Sequence, residues 1–229
     1  MSIKIYDLAG ADPARRFSPY CWRTHMALKH KHLEFEAIPW RFTDKEVIAF
    51  SGQGLVPVIV DGETTVADSW AIAEYLEEAY PGKPSLFDGA AGKREARFLK
   101  HWAETILHPA VSRMIIKDIY DRIDPKDQAY FRESREKRFG KPLEEVVRDR
   151  EAVRADFQKS LAPARNVLKE QPFLCGEAPS YGDYVVFGMF AWARNTSPFE
   201  LVPADDAVAL WRDRMLGLFD GYAATFPAA

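Results

Sequence analysis

The sequence predicts two domains: an α/β domain containing a small sheet, followed by an all-helical domain. Strand and helix patterns alternate over residues 1–82, whereas strand patterns fade beyond residue 93. Residues 82–92 concentrate glycine, proline and other small residues, as an interdomain linker does. We therefore expect one domain at 1–82 and a second at 93–229.

The first half of the α/β domain reads as strand, helix, strand. Ile3 and Ile5 flank Lys4 in the period-two pattern of a strand. Residues 19–30 carry apolar side chains at helical spacing, and residues 33–37 alternate apolar and acidic side chains. A βαβ unit is the simplest arrangement of this order.

The second half of this domain predicts a hairpin and a helix. Residues 56–60 form an apolar run with a proline near its start, and Asp61-Gly62 is a hairpin turn signal. Residues 64–67 then return as an antiparallel strand. Residues 69–80 have a helical stripe that Pro81 and Gly82 end. Between the two halves we expect a short helical or irregular stretch.

The second domain shows helical periodicity throughout. Its longest pattern should be kinked or split at Pro163, because proline lacks an N–H and clashes with the preceding turn. The predicted helical segments are 93–120, 125–139, 143–170, 180–194 and 208–222.

Charge and composition exclude several classes of partner. The net charge is −3 and charges of both signs are interleaved, which argues against recognition of nucleic acids or anionic membranes through bulk charge. The N-terminal segment has no signal-peptide core, and no apolar run is long enough to span a bilayer. The histidines show no metal-ligand spacing, so no metal is expected.

Cysteine usage indicates a reducing compartment. The chain contains 2 cysteines, Cys21 and Cys175, too few for a secreted disulfide scaffold. We interpret both as reduced, buried thiols of a cytoplasmic protein, with a Cys21–Cys175 disulfide as the minor alternative. Cys21 falls on the apolar face of its helix and is predicted to be a core residue rather than a redox partner.

Ser18 is the first candidate functional residue. It precedes Pro19 after a strand and a loop, and serine favours the N-cap of a helix just as proline favours the first helical position. An ordinary capping role is one interpretation. The other is functional, because a serine hydroxyl at the positive end of a helix can interact with an anion.

Three further motifs allow both a structural and a functional interpretation. Pro57 opens a strand, where its missing N–H does little harm. Asp68-Ser69 precedes a helix as an N-cap pair, and a helix N-terminus also suits an anion. Ser180 and Asp183 form a capping box with Asp in place of the usual Glu or Gln, a motif that is structural only.

The quartet Ser18-Pro19-Tyr20-Cys21 resembles the Cys-Pro-Tyr-Cys motif of glutaredoxins, with serine in the position of the nucleophile. It also resembles the active-site start of serine- and cysteine-type glutathione transferases. Together with Pro57, Ser69 and the capping box, in this order, it makes the chain similar to glutathione transferases from residue 3 to about 222. Residues 17–28 and 130–140 further resemble the bacterial β-etherase group and its fungal relatives.

The resemblance implies a thioredoxin-like first domain that binds glutathione. Ser18 would donate its hydroxyl to the glutathione thiol, and the Val56–Pro57 bond would be cis, with the Val56 backbone pairing with the peptide. Ser69 would hold the γ-glutamyl carboxylate, while Asp68, where many transferases have glutamate, would face the amine. Trp40, Arg41 and Lys45 would lie near the glycyl carboxylate, although a solvated surface is nearly as good an interpretation for Arg41 and Lys45.

The electrophile is expected between Ser18 and the first helix of the second domain. The candidates for that pocket are Tyr20, Trp22, Met114 and Tyr120, with core packing as the alternative for each. The implied activity is transfer of glutathione to a hydrophobic electrophile, with an aryl ether as one candidate, in a detoxification role. A ligand-binding protein without turnover and a glutathione-dependent isomerase are the alternatives. A homodimer is implied by the family alone.

Overall fold

The computed structural model describes residues 2–229. Its sheet has the strand order β2-β1-β3-β4. The strands are β1 (Ile3–Leu8), β2 (Phe35–Trp40), β3 (Val58–Asp61) and β4 (Thr64–Ala67). The pairing of β1 with β2 is parallel, whereas β3 is antiparallel to both β1 and β4. The predicted order of β-α-β followed by β-β-α is therefore confirmed, with β2 extending further towards Trp40 than the alternation indicated.

Two helices flank the sheet. Helix α1 (Pro19–His30) connects the parallel strands β1 and β2, and α2 (Ser69–Ala79) follows β4. The stretch predicted as short and helical or irregular is a 3-10 helix, Lys45–Ser51. Buried apolar side chains on β1, β3 and both helices form the core of this part of the chain, and Ile5, Val58 and Leu76 are fully buried.

The chain from residue 89 onwards is helical. No strand occurs among residues 68–229, although Phe173 and Gly176 form an isolated bridge. Pro163 is the second residue of its helix, so the predicted split occurs there. The helices are α3 (Gly89–Trp102), α4 (His108–Tyr120), α5 (Pro125–Phe139), α6 (Leu143–Val146), α7 (Arg150–Ser160), α8 (Ala162–Glu170), α9 (Tyr181–Thr196) and α10 (Ala207–Gly221).

A π-helical turn, Ala103–Leu107, joins α3 to α4, so the predicted segment 93–120 is one continuous helical rod with an irregular centre. Such turns insert an extra residue into a helix and frequently accompany functional sites. Here the turn directly precedes His108, the first residue of α4. Among residues 2–229, no helix is both long enough and apolar enough to cross a membrane.

The sheet region and the helical region share an extensive contact between α1 and α9. Helix α9 is buried along nearly its whole length. At Gly188 an added Cβ would lie only 2.3 Å from the carbonyl oxygen of Pro19, so the two helices touch backbone to backbone. Tyr181 adds a polar contact, because its hydroxyl donates to the carbonyl oxygen of Ser69 at 2.5 Å. The N-termini of both α1 and α2 are thus positioned by α9.

Candidate active site

A cavity of about 350 Å³ lies where the sheet region meets the helical region. Ser18 and Tyr20 line it from α1, and Val56 lines it from the segment before β3. Residues of α4 and α5 form the opposite wall. A second cavity of about 350 Å³ lies towards the C-terminal end of the chain, where Arg194 and Arg212 contribute to its wall, and it shares no lining residue with the first.

Ser18 caps α1, as the sequence predicted. Its Oγ accepts a hydrogen bond from the backbone N–H of Cys21 at 3.2 Å, and its side chain lies on the cavity wall although the residue is only 4% exposed. No residue among 2–229 accepts a hydrogen bond from the Ser18 hydroxyl. The hydroxyl proton is therefore available to an acceptor in the cavity, at the positive end of the α1 dipole.

The segment around Pro57 connects the cavity to the start of α2. The Val56–Pro57 peptide bond is cis, which confirms the expectation from the resemblance. The carbonyl of Pro57 accepts from the backbone N–H of Asp68 at 3.3 Å. Asp68 in turn has a φ of 78°, a conformation that a residue with a side chain adopts only when its surroundings impose it.

Asp68 and Ser69 form the N-terminus of α2. Oδ1 of Asp68 accepts from the backbone N–H groups of Trp70 and Ala71 at 2.9 and 3.1 Å, so this carboxylate oxygen serves as the cap. The Ser69 side chain behaves differently, because its Oγ is buried without a hydrogen-bond partner among the described residues. A buried, unpartnered hydroxyl costs about 1–3 kcal/mol, and its position at a helix N-terminus suits the binding of an anionic group.

Trp40, Arg41 and Lys45 occupy different environments. Trp40 is 2% exposed, lines the cavity, and donates its indole N–H to the carbonyl of Asp44 at 2.6 Å. Lys45 also lines the cavity, and its ammonium donates to the carbonyl of Gly54 at 2.5 Å. Arg41 instead lies against Asp124, with a 3.0 Å separation between Nε and Oδ2, and does not line the cavity.

Among the residues predicted for the electrophile pocket, only Tyr20 lines the cavity. Trp22 is 1% exposed and packs against Phe187 and Phe226 in the core. Met114 is fully buried in α4. Tyr120 ends α4, and its ring centroid lies 4.4 Å from the guanidinium carbon of Arg132. Trp22 and Met114 are therefore core residues, which was the alternative interpretation of both.

The wall opposite Ser18 contains residues that the sequence did not single out. His108, Ser112, Ile116 and Ile119 line the cavity from α4, and their spacing of four, four and three residues corresponds to one helix face. The imidazole of His108 stacks on Trp192 of α9, with ring centroids 4.9 Å apart. The spacing of these residues on one helix face was readable in the sequence. That this face points to the cavity depends on how α4 packs.

Arg135 and Arg138 complete this wall from α5. Burial lowers the pKa of His108 to about 4, with Arg138 adding to the effect, so the imidazole is neutral at pH 7. Burial also lowers the pKa of Lys45 from its ordinary value, and Arg135 adds repulsion. The cavity thus combines neutral aromatic surfaces with a positive potential.

Both cysteines are free thiols in the structure. Cys21 is fully buried, and burial followed by the charge of Asp7 holds its pKa well above the usual value. A thiol with a raised pKa is a poor nucleophile at neutral pH. Of the Ser18 hydroxyl and the Cys21 thiol, only Ser18 belongs to a residue that lines the cavity.

The comparisons with known proteins assign the chain to a family. A family model for the glutathione S-transferase N-terminal domain matches residues 17–79, and one for the C-terminal domain matches residues 95–215. The chain belongs to the glutathione S-transferase family. Residues 17 and 79 bracket both Ser18 and Ser69, so the family's N-terminal domain includes the two helix N-termini described above.

Sequence relatives within this family are distant. Glutathione S-transferase omega-1 of Mus musculus is 27% identical over 216 residues, covering 93% of this chain and 76% of that protein. A zeta-class glutathione S-transferase of Euphorbia esula is 41% identical over 71 residues. That alignment covers 28% of this chain, and the chain matches only 31% of the plant protein's length.

Solved transferase structures share the whole fold. A glutathione S-transferase of Ceriporiopsis subvermispora in complex with glutathione has a TM-score of 0.80 at 25% identity, covering 96% of this chain and 98% of that one. The transferase GSTFuA3 of Phanerochaete chrysosporium has a TM-score of 0.78 at 26% identity, covering 99% and 94%. The predicted fold class, a thioredoxin-like domain followed by a helical domain, is therefore confirmed.

Proposed function

We propose that this glutathione S-transferase activates the thiol of glutathione through Ser18 and directs the thiolate at an electrophile in the cavity. The observation that carries the proposal is the Ser18 hydroxyl. Its oxygen is held by the N–H of Cys21, its proton has no acceptor among residues 2–229, and it lies on the cavity wall. A sulfur atom placed there would accept that proton as a hydrogen bond.

Magnitudes support a hydrogen-bonding role without deprotonation of the serine. A free thiol of the cysteine type titrates near pH 8.5. A hydrogen bond to a charged group contributes about 1.5–3 kcal/mol, and a helix N-terminus adds about 0.3–1 kcal/mol. Since about 1.36 kcal/mol corresponds to one pKa unit, Ser18 and the α1 N-terminus together would lower the thiol pKa by roughly one to three units.

The remaining parts of glutathione have partners of suitable chemistry. The Ser69 Oγ, which has no partner among the described residues, and the Ser69 backbone N–H, which Asp68 does not cap, would receive the γ-glutamyl carboxylate. Oδ2 of Asp68 accepts no hydrogen bond from residues 2–229 and would be available to the amine. The Val56 backbone and the Lys45 ammonium, both on the cavity wall, would meet the peptide and the glycyl carboxylate. Trp40 would pack beside Lys45, whose ammonium lies 4.8 Å from its ring centroid.

The serine restricts the reaction class. A cysteine at position 18 could form a mixed disulfide with glutathione, and a serine cannot. The thiolate would therefore form a carbon–sulfur bond while the leaving group departs with the electron pair. For an aryl ether the leaving group is a phenolate, which takes up a proton from solvent. We propose such β-etherase-like cleavage as the finer function, together with a homodimeric state and a cytoplasmic location.

Steady-state conjugation of glutathione to 1-chloro-2,4-dinitrobenzene and to a β-aryl ether, compared between wild type and Ser18→Ala, tests the proposal. We expect kcat/KM near pH 6.5 to fall about 10- to 100-fold in the variant, the equivalent of roughly 1.4–2.7 kcal/mol. Ser160→Ala, in which a serine of α7 loses a local bond to Phe157, is the matched control. Equal rates for wild type and Ser18→Ala would remove Ser18 from the mechanism. Glutathione binding without turnover of any electrophile would favour the ligand-binding alternative.

A further inference from the structure

Helix α5 presents a row of two arginines to the cavity. Phe131, Arg135 and Arg138 follow one another at spacings of four and three residues, and all three line the cavity. Arg135 donates to the Ser134 hydroxyl at 3.0 Å, and neither Arg135 nor Arg138 has a carboxylate of residues 2–229 within ion-pair distance. Arg132, on the outer side of the same helix, behaves as a surface arginine does and pairs with Glu136 and Glu144.

The charged side chains that line the cavity are all positive. Lys45, Arg135 and Arg138 line it, and none of its lining residues is an aspartate or a glutamate. Three cations without an acidic partner repel one another, which is costly where water is partly excluded. Proteins tolerate such an arrangement at sites where an anion binds.

The titration behaviour of these groups agrees with this view. Burial lowers the pKa of Arg135, and the charge of Arg138 lowers it further. Burial likewise lowers the pKa of Lys45, with Arg135 as the next cause. Arg135 and Lys45 are thus each destabilised by a neighbouring arginine, an effect that the charge of Asp127 offsets in part at Lys45, and a negative charge bound between Arg135 and Arg138 would relieve the repulsion.

Arg135 is also held in position. Its guanidinium lies 4.8 Å from the ring centroid of Phe131 and 5.4 Å from that of Phe42. Stacking on aromatic rings limits the freedom of the planar guanidinium. Less side-chain entropy is therefore lost when it forms two parallel hydrogen bonds to a carboxylate. Arg138 is exposed, so an anion bridging the pair would keep contact with water.

We infer that the second substrate is an electrophile carrying a carboxylate on an aromatic body, and that Arg135 and Arg138 bind that carboxylate. The inference rests on the proposed function, in which Ser69 and Lys45 receive the two carboxylates of glutathione and leave the α5 arginines free. The aromatic surfaces of Tyr20, His108 and Trp192 on the cavity wall suit the body of such a substrate. Arg135 and Arg138 are thus specificity-determining residues.

A pair of probes of the same shape, one anionic and one neutral, tests the inference. 4-(Chloromethyl)benzoate and its neutral amide, 4-(chloromethyl)benzamide, react with glutathione in the same way. The thiolate sulfur bonds to the benzylic carbon, chloride leaves with the electron pair, and the thiol proton goes to solvent. We expect the wild-type enzyme to favour the benzoate over the amide by about tenfold in kcat/KM, after subtraction of the uncatalysed rates.

The variant Arg135→Gln/Arg138→Gln should reduce this preference to about twofold or less. Lys137→Gln removes one positive charge from an exposed position of the same helix and lies outside the cavity, so it should retain the preference. Equal kcat/KM values for the two probes in the wild type, or a preference that survives in the double variant, would overturn the inference.

A binding measurement separates failure of this inference from failure of the proposed function. Calorimetry compares S-(4-carboxybenzyl)glutathione with S-(4-carbamoylbenzyl)glutathione, which require no turnover. Tighter binding of the carboxy conjugate, lost in Arg135→Gln/Arg138→Gln, supports the inference even when neither chloride is turned over. Equal binding of both conjugates overturns the inference and leaves the proposed function standing. Absence of binding by both conjugates and by glutathione itself overturns both.

Discussion

The Ser69 hydroxyl is the least satisfied polar group at the start of α2. Its Oγ is buried and has no hydrogen-bond partner in the described part of the chain, whereas the neighbouring Asp68 uses Oδ1 to cap two backbone N–H groups of the same helix. The Ser69 carbonyl is fixed by Tyr181, so the residue is held firmly while its hydroxyl remains free. A residue arranged in this way contributes to binding at some expense in stability.

Replacing Ser69 by alanine should therefore separate binding from stability. We expect the Kd for glutathione to rise about tenfold or more, because a hydrogen bond to a charged group contributes about 1.5–3 kcal/mol. The melting temperature without ligand should stay the same or rise, since a buried unpartnered hydroxyl is removed. Calorimetry and thermal unfolding measure the two effects.

Ser180→Ala is the matched control for this prediction. Ser180 is another buried serine at a helix N-terminus, but its hydroxyl accepts from the N–H of Gly182 at 3.4 Å. Loss of this cap should lower stability by about 1 kcal/mol. A drop in the melting temperature of Ser69→Ala as large as that of Ser180→Ala would mean that Ser69 serves stability rather than glutathione binding.

Individual residues could be predicted from the sequence where local chemistry determines their position. Ser18 and Asp68 were readable as helix caps, because serine, aspartate and a following proline determine a helix start locally. The positions of the Trp22 and Met114 side chains in the fold could not be predicted in that way. Helical spacing places Trp22 on a face of α1, but only the packing of α9 and the C-terminal segment decides that this face is core.

The start of helix α9 is held by a single buried side chain, Asp183. Asp183 accepts hydrogen bonds from the backbone N–H groups of Leu174, Cys175 and Ser180 at 2.8, 3.3 and 3.2 Å. It also accepts from the indole N–H of Trp211 in α10 at 3.0 Å. The capping-box aspartate thus ties the start of α9 to the preceding loop and to α10.

Asp183→Ala should destabilise the protein by about 3 kcal/mol or more, because several buried donors would lose their acceptor. Asp183→Asn, which keeps one acceptor oxygen, should cost less. Urea unfolding measures both values. Glu177→Ala, an exposed acid in the loop before α9, should change stability by no more than about 0.5 kcal/mol. A loss below about 1 kcal/mol for Asp183→Ala would show that the network contributes little.

The elements themselves were largely predictable, and their functional faces were not. The range of α5 was readable from Pro125, which starts it, and from Gly140, which ends it. Its highly charged composition is typical of a solvated helix, and Arg132, which pairs with Glu136, lies on such a face. Arg135 and Arg138 face the cavity instead, because tertiary packing turns that side of the helix inwards.

At the scale of the whole molecule, the active-site helix depends on contact between the two regions. Gly188 of α9 lies against the carbonyl of Pro19, the residue after Ser18, with no room for a side chain. Two hydrogen bonds also join the two regions. Arg15 donates to the carbonyl of Asn195 at 2.6 Å, and Nδ1 of His25 lies 2.7 Å from the Tyr222 hydroxyl. The position of Ser18 is thus set by the second domain as well as the first.

Gly188→Ala tests this dependence. The added methyl group would lie 2.3 Å from the Pro19 oxygen, so α1 and α9 must separate. We expect a loss of about 1–3 kcal/mol in stability and weaker glutathione binding in the fraction that remains folded. Gly217→Ala in α10, where no heavy atom lies within 4 Å of the new methyl group, should be neutral or slightly stabilising. Wild-type stability and wild-type glutathione affinity of Gly188→Ala would contradict the claim that α9 positions α1 and Ser18.

The order of strands and helices followed from local patterns across the chain. The cavity did not, because its walls come from α1, the segment before β3, α4 and α5, which only the packed fold brings together. The imidazole of His108 is neutral because the packed fold buries it, and this burial lowers its pKa. Of the residues predicted for glutathione, Ser18, Trp40, Lys45 and Val56 line this cavity, whereas of the four predicted for the electrophile only Tyr20 does.

The central claim is that Ser18 stabilises the glutathione thiolate. The direct measurement is the pKa of enzyme-bound glutathione, obtained by titrating the ultraviolet absorbance of the thiolate in wild type and Ser18→Ala. A thiol pKa about one to three units below the ordinary value of about 8.5 is expected in the wild type. Removing the donor should raise the pKa by about one to two units. An unperturbed pKa in the wild type, or the same lowered pKa in Ser18→Ala, would contradict the claim.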